Sequence, residues 1–200
     1  MNGIVSTQLH EHTVKYLATS VVIVSTVMRI GRQIEFARTI QKAALLKDDV
    51  ARITLTVKQV FLAIWLMHDS CQWANTAGVV KFDNIKEISR RGQKAWLVAL
   101  IASLLGNLHK LRLNGQRIEQ ETKLARAAAG KGGDAASAAM AIKSLRAERS
   151  KITVATVQDS LDMLIPASGL EIVKIETGIV GLIGAFTSVL GAVTHWNSLK

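Results

Sequence analysis

The feature that most constrains this chain of 200 residues is an uncharged segment near its end. Between Thr177 and Trp196 there is no Asp, Glu, Lys or Arg. A run of about 20 such residues is long enough to cross the hydrocarbon core of a bilayer as a helix. Small residues recur along it at helical spacing, which lets a neighbouring helix approach closely inside lipid. We therefore predict an apolar membrane segment over 177–196, with helix packing and self-association through Gly178, Gly181, Gly184, Ser188 and Gly191.

Length and composition do not separate a spanning helix from a tight helical hairpin buried in protein, so both arrangements stay open for this segment. If the segment spans, His195 and Trp196 lie at the membrane–water interface, where amphipathic rings concentrate.

The whole chain is both basic and apolar. Its formal net charge is +10, and 49% of its residues are hydrophobic. Each Lys or Arg held near an anionic lipid surface gains roughly 1 kcal/mol, so we predict an anionic phospholipid membrane as a partner. Nucleic acid is the rival partner of a basic chain. We predict no nucleic-acid binding, because the basic residues are spread along helical faces without an aromatic-basic stacking motif.

The chain length suits a single domain over 1–200. Within it we predict a short N-terminal region over 1–24 and a flexible linker over 127–139, where Ala, Gly and Ser predominate. Cys71 is the only cysteine, so an intramolecular disulfide is excluded. Strand patterns are scarce. The predicted fold class is all-α: a membrane-associated helical bundle with amphipathic helices and a Gly-rich C-terminal transmembrane helix or hairpin.

The segment from Val27 to Leu45 has the periodicity of an amphipathic helix, with apolar residues recurring three and four apart. We predict that it binds lipid, with its apolar side sunk into the headgroup boundary and its basic side on the phosphates. An ordinary helix pair with the segment that follows explains the same pattern. The predicted lipid-binding residues are apolar Ile30, Ile34 and Ile40 and basic Arg29, Arg32, Arg38 and Lys42.

Three further elements follow along the chain. Asp48 or Asp49 is a suitable N-cap for a helix that ends near Gly78 and that we expect to be too polar on one side to lie freely in lipid. Residues 79–93 are short, mixed in charge and include Gly92, and they are interpreted as a connection. Residues 95–108 are uncharged over a length that suits a buried helix better than a span, and they join charged helix up to Arg126 as one possible rod.

The second half continues with a basic helical patch over 143–151, and we expect Pro166 to end that helix. The resulting prediction is one firm span at the tail and a doubtful one at 95–108.

Candidates for chemistry are few. His10-Glu11-His12 lacks the spacing and further ligands of a zinc site. Lys131 is followed by Gly, not by the Ser or Thr of a phosphate-binding loop. Asp69, Asp159 and Asp162 have apolar helical neighbours, where pairing with Lys or Arg of another helix is favoured over acid–base work. We predict no enzyme activity, no cofactor and no metal.

Five blocks stand in order along the chain. They are Met28 to Arg32, Val57 to Val80 with Asp69 and Trp73, Trp96 to Leu111, Asp159 to Pro166, and Gly178 to Trp196. In order and spacing they resemble the peroxisomal biogenesis factor 11 family over residues 25 to 198. In turn they are similar to that family's Arg-Leu-Gly segment, its helix with an Asp and a Trp four residues apart, its next apolar helix, its Asp-Leu-Leu-Ile-Pro stretch and its Gly-rich tail.

The resemblance implies a protein of the peroxisomal membrane that elongates the organelle before division. It implies homo-oligomers and the peroxisome fission machinery as partners. Many amphipathic helices, each inserted about 5 to 10 Å into one leaflet, act as wedges that favour a tubule over a flat sheet.

Two other functions stay open at the level of sequence. Polar residues such as Asp69 and Asn107 in apolar helices are compatible with a membrane channel for small metabolites. A helical scaffold that binds acidic partners through its basic faces is the third candidate. Two predictions of the membrane topology also disagree. The positive-inside tendency holds the basic stretch 110–151 in the cytosol, whereas two spans with both chain ends in the cytosol place it in the lumen.

Overall fold

A computed structural model describes residues 35–129 and 135–198. Within these two ranges every regular element is a helix and no strand occurs. The helices are α1 over 35–44, α2 over Asp49–Thr76, α3 over Ile85–Ala129, α4 over Ala135–Asp162, α5 over Leu164–Gly169 and α6 over Thr177–Ser198. The all-α prediction is confirmed.

The bounds of α2 follow local capping rules. The Asp48 side chain accepts a hydrogen bond from the Ala51 backbone N–H at 3.0 Å, which satisfies one of the donors left unpaired at a helix start. At the other end Gly78 has φ +73°, a left-handed conformation that costs glycine nothing. The Asn75 side chain then accepts a bond from the Phe82 N–H at 2.9 Å and fixes the turn. Both predicted ends of this helix are confirmed.

Helix α3 begins earlier and runs longer than an ordinary helix. It starts at Ile85, so the connection expected over 79–93 is wrong in its second half. Gly92 was one reason for that expectation. It is instead a point of close approach between α2 and α3, since a Cβ built there lies 2.9 Å from the His68 Cβ. The helix has 45 residues and a length of about 67 Å, which confirms the single rod.

Two expectations for the second half of the chain change. The linker predicted over 127–139 is helical at both ends, up to Ala129 and from Ala135, in keeping with the high helix propensity of Ala. Its centre, 130–134, lies outside the described residues. Pro166 does not end α4, which stops at Asp162. It lies in the first turn of α5, where the missing N–H has no helical partner to lose.

Helix α3 is the centre of the bundle, and α2 and α4 pack antiparallel to it. The α2 register is fixed by the pairs His68 with Gly92 and Thr54 with Gly106. The α4–α5 register is fixed by Gly169 with Gln93, Asp159 with Ser103, and Arg149 with Gly115. Helix α6 lies on α4 and α5, where Gly184 meets Ile165 and Gly191 meets Gln158. These contacts also set the directions of α2 to α6 relative to one another.

The buried core is built mostly from small side chains. Its apolar members are Ala43, Leu66, Ala95, Ala99, Leu100, Ala102 and Ala167. Trp65 of α2 stacks on Trp96 of α3 with ring centroids 5.1 Å apart, which adds one large contact to an otherwise close approach of backbones. Close packing through Ala and Gly is the usual way in which helices associate inside lipid.

Candidate membrane-binding surface

The large apolar side chains of α6 lie on its outer face. Leu182 is 71% exposed and Val189 is 64% exposed. The exposed positions alternate three and four residues apart and so form one continuous stripe along the helix. Its members are Ile179, Leu182, Phe186, Val189, Val193 and Trp196.

Helices α2 and α3 carry stripes of the same kind. On α2 the stripe has a spacing of seven, and Met67 is 62% exposed. On α3 the spacing is three and four, and Leu105 is 55% exposed. The members are Ile53, Val60 and Met67 on α2, and Val98, Ile101, Leu105 and Leu108 on α3. The large apolar side chains thus lie on the outside and the small ones on the inside, which is the reverse of their distribution in a water-soluble protein. Exposed apolar area of this extent marks contact with a membrane or a partner.

Three helices are long and apolar enough to cross a membrane, at Asp49–Thr76, Ile85–Ala127 and Thr177–Asn197. By length and composition α2 is thus apolar enough to cross a membrane, contrary to the expectation that it is too polar on one side to lie in lipid. Only 6% of the apolar stretch of α2 is buried inside the protein, the same share as in α6, against 28% in α3. The candidate spans are three rather than one firm and one doubtful.

The five predicted packing residues of the tail divide into two groups. The tail is one helix of 22 residues, so the alternative of a buried hairpin is wrong. Gly184 and Gly191 face α5 and α4, where added Cβ atoms lie 3.6 Å from Ile165 and 3.2 Å from Gln158. Gly178, Gly181 and Ser188 are exposed. The first group packs the helix inside the chain, and the second group stays open.

The predicted lipid-binding residues of the first amphipathic segment are only partly described. Arg29, Ile30, Arg32 and Ile34 lie outside the described residues. On α1, Arg38 and Lys42 are exposed, Ile40 is half-buried and Ala43 is 0% exposed. The described part thus has one side packed on protein and a basic side free, an arrangement compatible with both interpretations of this helix.

A polar network crosses the interior of the bundle. The Lys58 ammonium on α2 donates to the Ser103 hydroxyl on α3 at 2.7 Å, and that hydroxyl donates to the Asp159 carboxylate on α4. The Asn107 amide, one turn further along α3, donates to the same carboxylate oxygen at 2.8 Å. The direct partners of Asp159 on another helix are thus a hydroxyl and an amide, whereas the prediction was a Lys or Arg; the Lys58 ammonium reaches Asp159 only through Ser103. Buried polar groups that satisfy one another in this way fix which helix faces meet.

A second polar pair fixes the start of α2 on α3. The Asp48 carboxylate lies 2.7 Å from the His109 imidazole nitrogen. Hydrogen bonds from the Ala51 N–H and from His109 hold the pKa of Asp48 below the usual value of an aspartate. These bonds stabilise the fold above that usual value, and the stabilisation is lost as the pH falls through the lowered pKa.

Between α2 and α3 the network borders a small cleft of ≈ 70 Å³, with Thr54, Lys58, Ser103, Asn107 and Lys110 on its walls. Sequence reasoning singled out Asn107 but missed Lys58 and Ser103. A signal for Ser103 existed, since Ser103 and Asn107 are four residues apart in an otherwise uncharged helix and so share one face. Nothing local marked Lys58, because its partner lies 45 residues away.

The residues considered for chemistry do not converge. Among the described residues, no group of three His, Cys, Asp or Glu is placed to hold a metal ion. His10, His12 and Lys131 lie outside the described residues. Cys71 is a half-buried free thiol on α2. The geometry of the described residues is therefore that of a lipid-facing helical bundle, which is the class of protein defined by this fold and surface.

Comparison with known proteins gives the particular family. The family described as Peroxisomal biogenesis factor 11 (PEX11) matches residues 6–196. Peroxisomal biogenesis factor 11 of Schizosaccharomyces pombe is 27% identical over 150 residues, which cover 75% of this chain and 59% of the relative. Peroxisomal membrane protein 11A of Rattus norvegicus is 25% identical over 195 residues, with 90% and 77% covered. No solved structure matches the chain.

The chain belongs to the peroxisomal biogenesis factor 11 family, and the predicted resemblance is confirmed over a longer range than the blocks covered. Its location is the peroxisomal membrane, as predicted. The family is one of biogenesis factors and is not a known enzyme family. The chain spans 59% of the length of its fission-yeast relative and 77% of its rat relative.

Proposed function

We propose that this protein elongates the peroxisomal membrane before division by inserting its helices and associating with further copies. The observation that carries the proposal is the inverted distribution of side-chain size. Leu66, Leu100 and Pro166 are the only large apolar side chains among those buried in the described residues, while Leu182, Phe186 and Met67 face outward. A chain built in this way gains its hydrophobic stabilisation from lipid.

Curvature is generated where insertion is shallow and one-sided. Helix α1 presents Arg38 and Lys42 on its free side, and cations of this kind bind the phosphates of anionic lipid. Anchored through the spans that follow it, α1 is held at the headgroup level, where an inserted helix expands one leaflet. Arg29, Arg32, Ile30 and Ile34 extend the same helical pattern in the sequence.

Self-association concentrates these wedges. Gly178, Gly181 and Ser188 are exposed on α6 next to its apolar stripe, and a Cβ added at Gly178 or Gly181 meets nothing within 4 Å. Small residues on a lipid-facing helix allow a second helix to approach closely. The proposed partners are thus anionic phospholipid, further copies of the chain and the fission machinery of the peroxisome.

A channel is the second candidate, and one observation favours it: the cleft between α2 and α3 has Lys58, Ser103 and Asn107 on its walls. Their polar atoms are engaged with one another and with Asp159, which speaks for a packed interior. Conductance of planar bilayers containing the protein separates the two functions.

The proposal is tested with the purified full chain added to vesicles of phosphatidylcholine with and without an anionic phospholipid. We expect tubules in electron micrographs of the anionic vesicles, and at least tenfold less tubulation with Arg38→Glu/Lys42→Glu, since reversal turns two attractions of roughly 1 kcal/mol each into repulsions. The matched control is Arg126→Glu/Lys123→Glu, which changes the same charges far from α1.

Vesicles that bind the protein, show conductance and stay round contradict the proposal and favour the channel. Protein released from the vesicles by 1 M salt contradicts membrane insertion and favours the scaffold, because exposed charge contacts are screened within about 3 Å at that concentration.

A further inference from the structure

Helices α3 and α6 run in the same direction through the bundle. As α3 is followed from its start to its end, the residue numbers of its neighbours on α4 and α5 decrease, from Gly169 beside Gln93 to Arg149 beside Gly115. The residue numbers of the neighbours of α6 decrease in the same way, from Ile165 beside Gly184 to Gln158 beside Gly191. Since both helices are antiparallel to the same segment, they are parallel to each other. Two parallel spans that follow one another in a chain require a return crossing between them.

The return crossing corresponds to residues 152–169. One side of this segment lies against α3 from about Gln93 to beyond Asn107, and its other side lies against α6 from Gly184 to Gly191. The segment therefore occupies the same depth as two helices that are apolar enough to span. Its 18 residues have a helical length of about 27 Å, close to the thickness of a hydrocarbon core.

We propose that residues 152–169 form a fourth membrane-embedded segment, so that the chain crosses the bilayer four times, through α2, α3, this segment and α6. The inference rests on the proposed function in one respect, namely that α3 and α6 lie in lipid.

The polar groups of this segment are arranged as a lipid environment requires. The carboxylate of Asp159 points inward to Ser103 and Asn107, and Asp162 is half-buried in a cleft that Thr187 of α6 also lines. The outward positions Thr153, Ala155, Val157 and Ser160 carry no charge. Thr153 and Ser160 donate their hydroxyl protons to the Arg149 and Thr156 carbonyls of their own helix, at 2.9 Å and 2.7 Å. No hydroxyl among these outward positions depends on water.

Four crossings fix which parts of the molecule share a side. Asp48, at the start of α2, lies beside His109, and the end of α6 lies beside Ser150 and Val154. These ends and the antiparallel pair formed by 110–129 and 135–151 are therefore on one side. The turns 77–84 and 170–176 are on the other. The sequence from Lys110 to Lys151 has ten Lys or Arg and four Asp or Glu, so the positive-inside tendency places this side in the cytosol.

The topological conflict of the sequence is removed by this arrangement. Both ends of the described bundle and the basic helix pair share the cytosolic side, because the number of crossings before and after the pair is two in each case. The surface offered to the cytosol is a basic pair of helices, in which the Asn114 amide of α3 donates to the Leu145 carbonyl of α4 at 3.1 Å.

The test is cysteine accessibility in sealed peroxisomes that contain the full chain. In a Cys71→Ala background, single cysteines are placed at exposed positions by Lys47→Cys, Gln120→Cys and Asn197→Cys for the cytosolic side, and by Lys81→Cys and Lys174→Cys for the lumenal side. A membrane-impermeant maleimide–polyethylene glycol is added before and after detergent. We expect the first three variants to react before detergent is added. We expect the last two to react at least tenfold more after detergent than before it.

Reaction of Lys174→Cys in sealed organelles, with Lys81→Cys protected, overturns the fourth crossing and leaves the proposed function standing. Protection of Gln120→Cys overturns the cytosolic position of the hairpin. Reaction of all five variants in sealed organelles, with release of the protein by alkali, overturns membrane insertion itself and with it the proposed function. Full reaction of every variant after detergent is the internal control for accessibility in the folded chain.

Discussion

At the scale of single residues, glycine decides how closely the helices pack. Gly92 and Gly106 of α3 face α2, where added Cβ atoms lie 2.9 Å from the His68 Cβ and 2.8 Å from the Thr54 hydroxyl oxygen. Gly181 of α6 is also a glycine within a helix, but a Cβ added there meets only open space. Comparing substitutions at these three positions therefore distinguishes the effect of glycine on helix packing from the effect of its low helix propensity.

We expect Gly92→Ala to destabilise the bundle, because the nearest atom is a Cβ close to the backbone of α2 and one of the two helices must move. Overpacking costs about 1–3 kcal/mol, against a gain of roughly 1 kcal/mol from helix propensity. Gly106→Ala has a smaller effect, since the Thr54 hydroxyl can rotate at the loss of its 2.7 Å bond to the Val50 carbonyl.

Thermal unfolding in detergent, followed by circular dichroism, measures this order. Gly181→Ala is the matched control and leaves the midpoint unchanged or slightly raised. A midpoint for Gly92→Ala equal to that of the control contradicts the close approach of α2 and α3.

At the scale of elements, local sequence signals predicted the bounds of some helices and missed those of others. Asp48 and Gly78 predicted the bounds of α2, and the uncharged run over 95–108, continued by charged helix up to Arg126, predicted the rod of α3. Gly92 led to the wrong prediction of a connection because this glycine makes room for His68, 24 positions earlier in the chain, and no local pattern contains that contact. Pro166 misled because a proline in a first turn and a proline beyond a last turn look alike in sequence.

The tail shows the same limit for a functional assignment. Five small residues on one helix were predicted to pack against another helix, and spacing alone could not say which helix. Gly184 and Gly191 pack within the chain, and only Gly178, Gly181 and Ser188 are open to a second copy.

We expect Gly181→Leu/Ser188→Leu to weaken self-association about tenfold, a change of about 1.4 kcal/mol, because bulky side chains hold a second α6 away. Energy transfer between two labelled copies in vesicles measures the association. Leu182→Ala is the control on the neighbouring apolar stripe, and it keeps the energy transfer near that of the unchanged chain.

Equal energy transfer in the double variant and the unchanged chain contradicts the role of these residues and directs the search for the contact elsewhere in the molecule. The variant is compared only where its circular dichroism spectrum matches the unchanged chain, since the substituted positions are exposed and leave the packing of Gly184 and Gly191 intact.

At the scale of the whole molecule, the distribution of side-chain size defines the protein. Composition predicted a membrane partner from 49% hydrophobic residues and a net charge of +10, and the family confirms a peroxisomal location. Composition did not predict that the segment 152–169 shares the depth of α3 and α6. Asp159 and Asp162 make this segment too polar to be recognised as membrane-embedded, and their inward neighbours on α3 and α6 are visible only once the chain is folded.

The most direct test of membrane elongation is fluorescence microscopy of the tagged full chain, expressed at a raised level in cells with marked peroxisomes and scored for location and organelle length together. We expect the tag on the peroxisomes, with organelles elongated or increased in number, and an effect reduced by Arg38→Glu/Lys42→Glu at unchanged location. Peroxisomes that carry the protein and keep their shape contradict membrane elongation, and a diffuse cytosolic signal contradicts membrane insertion.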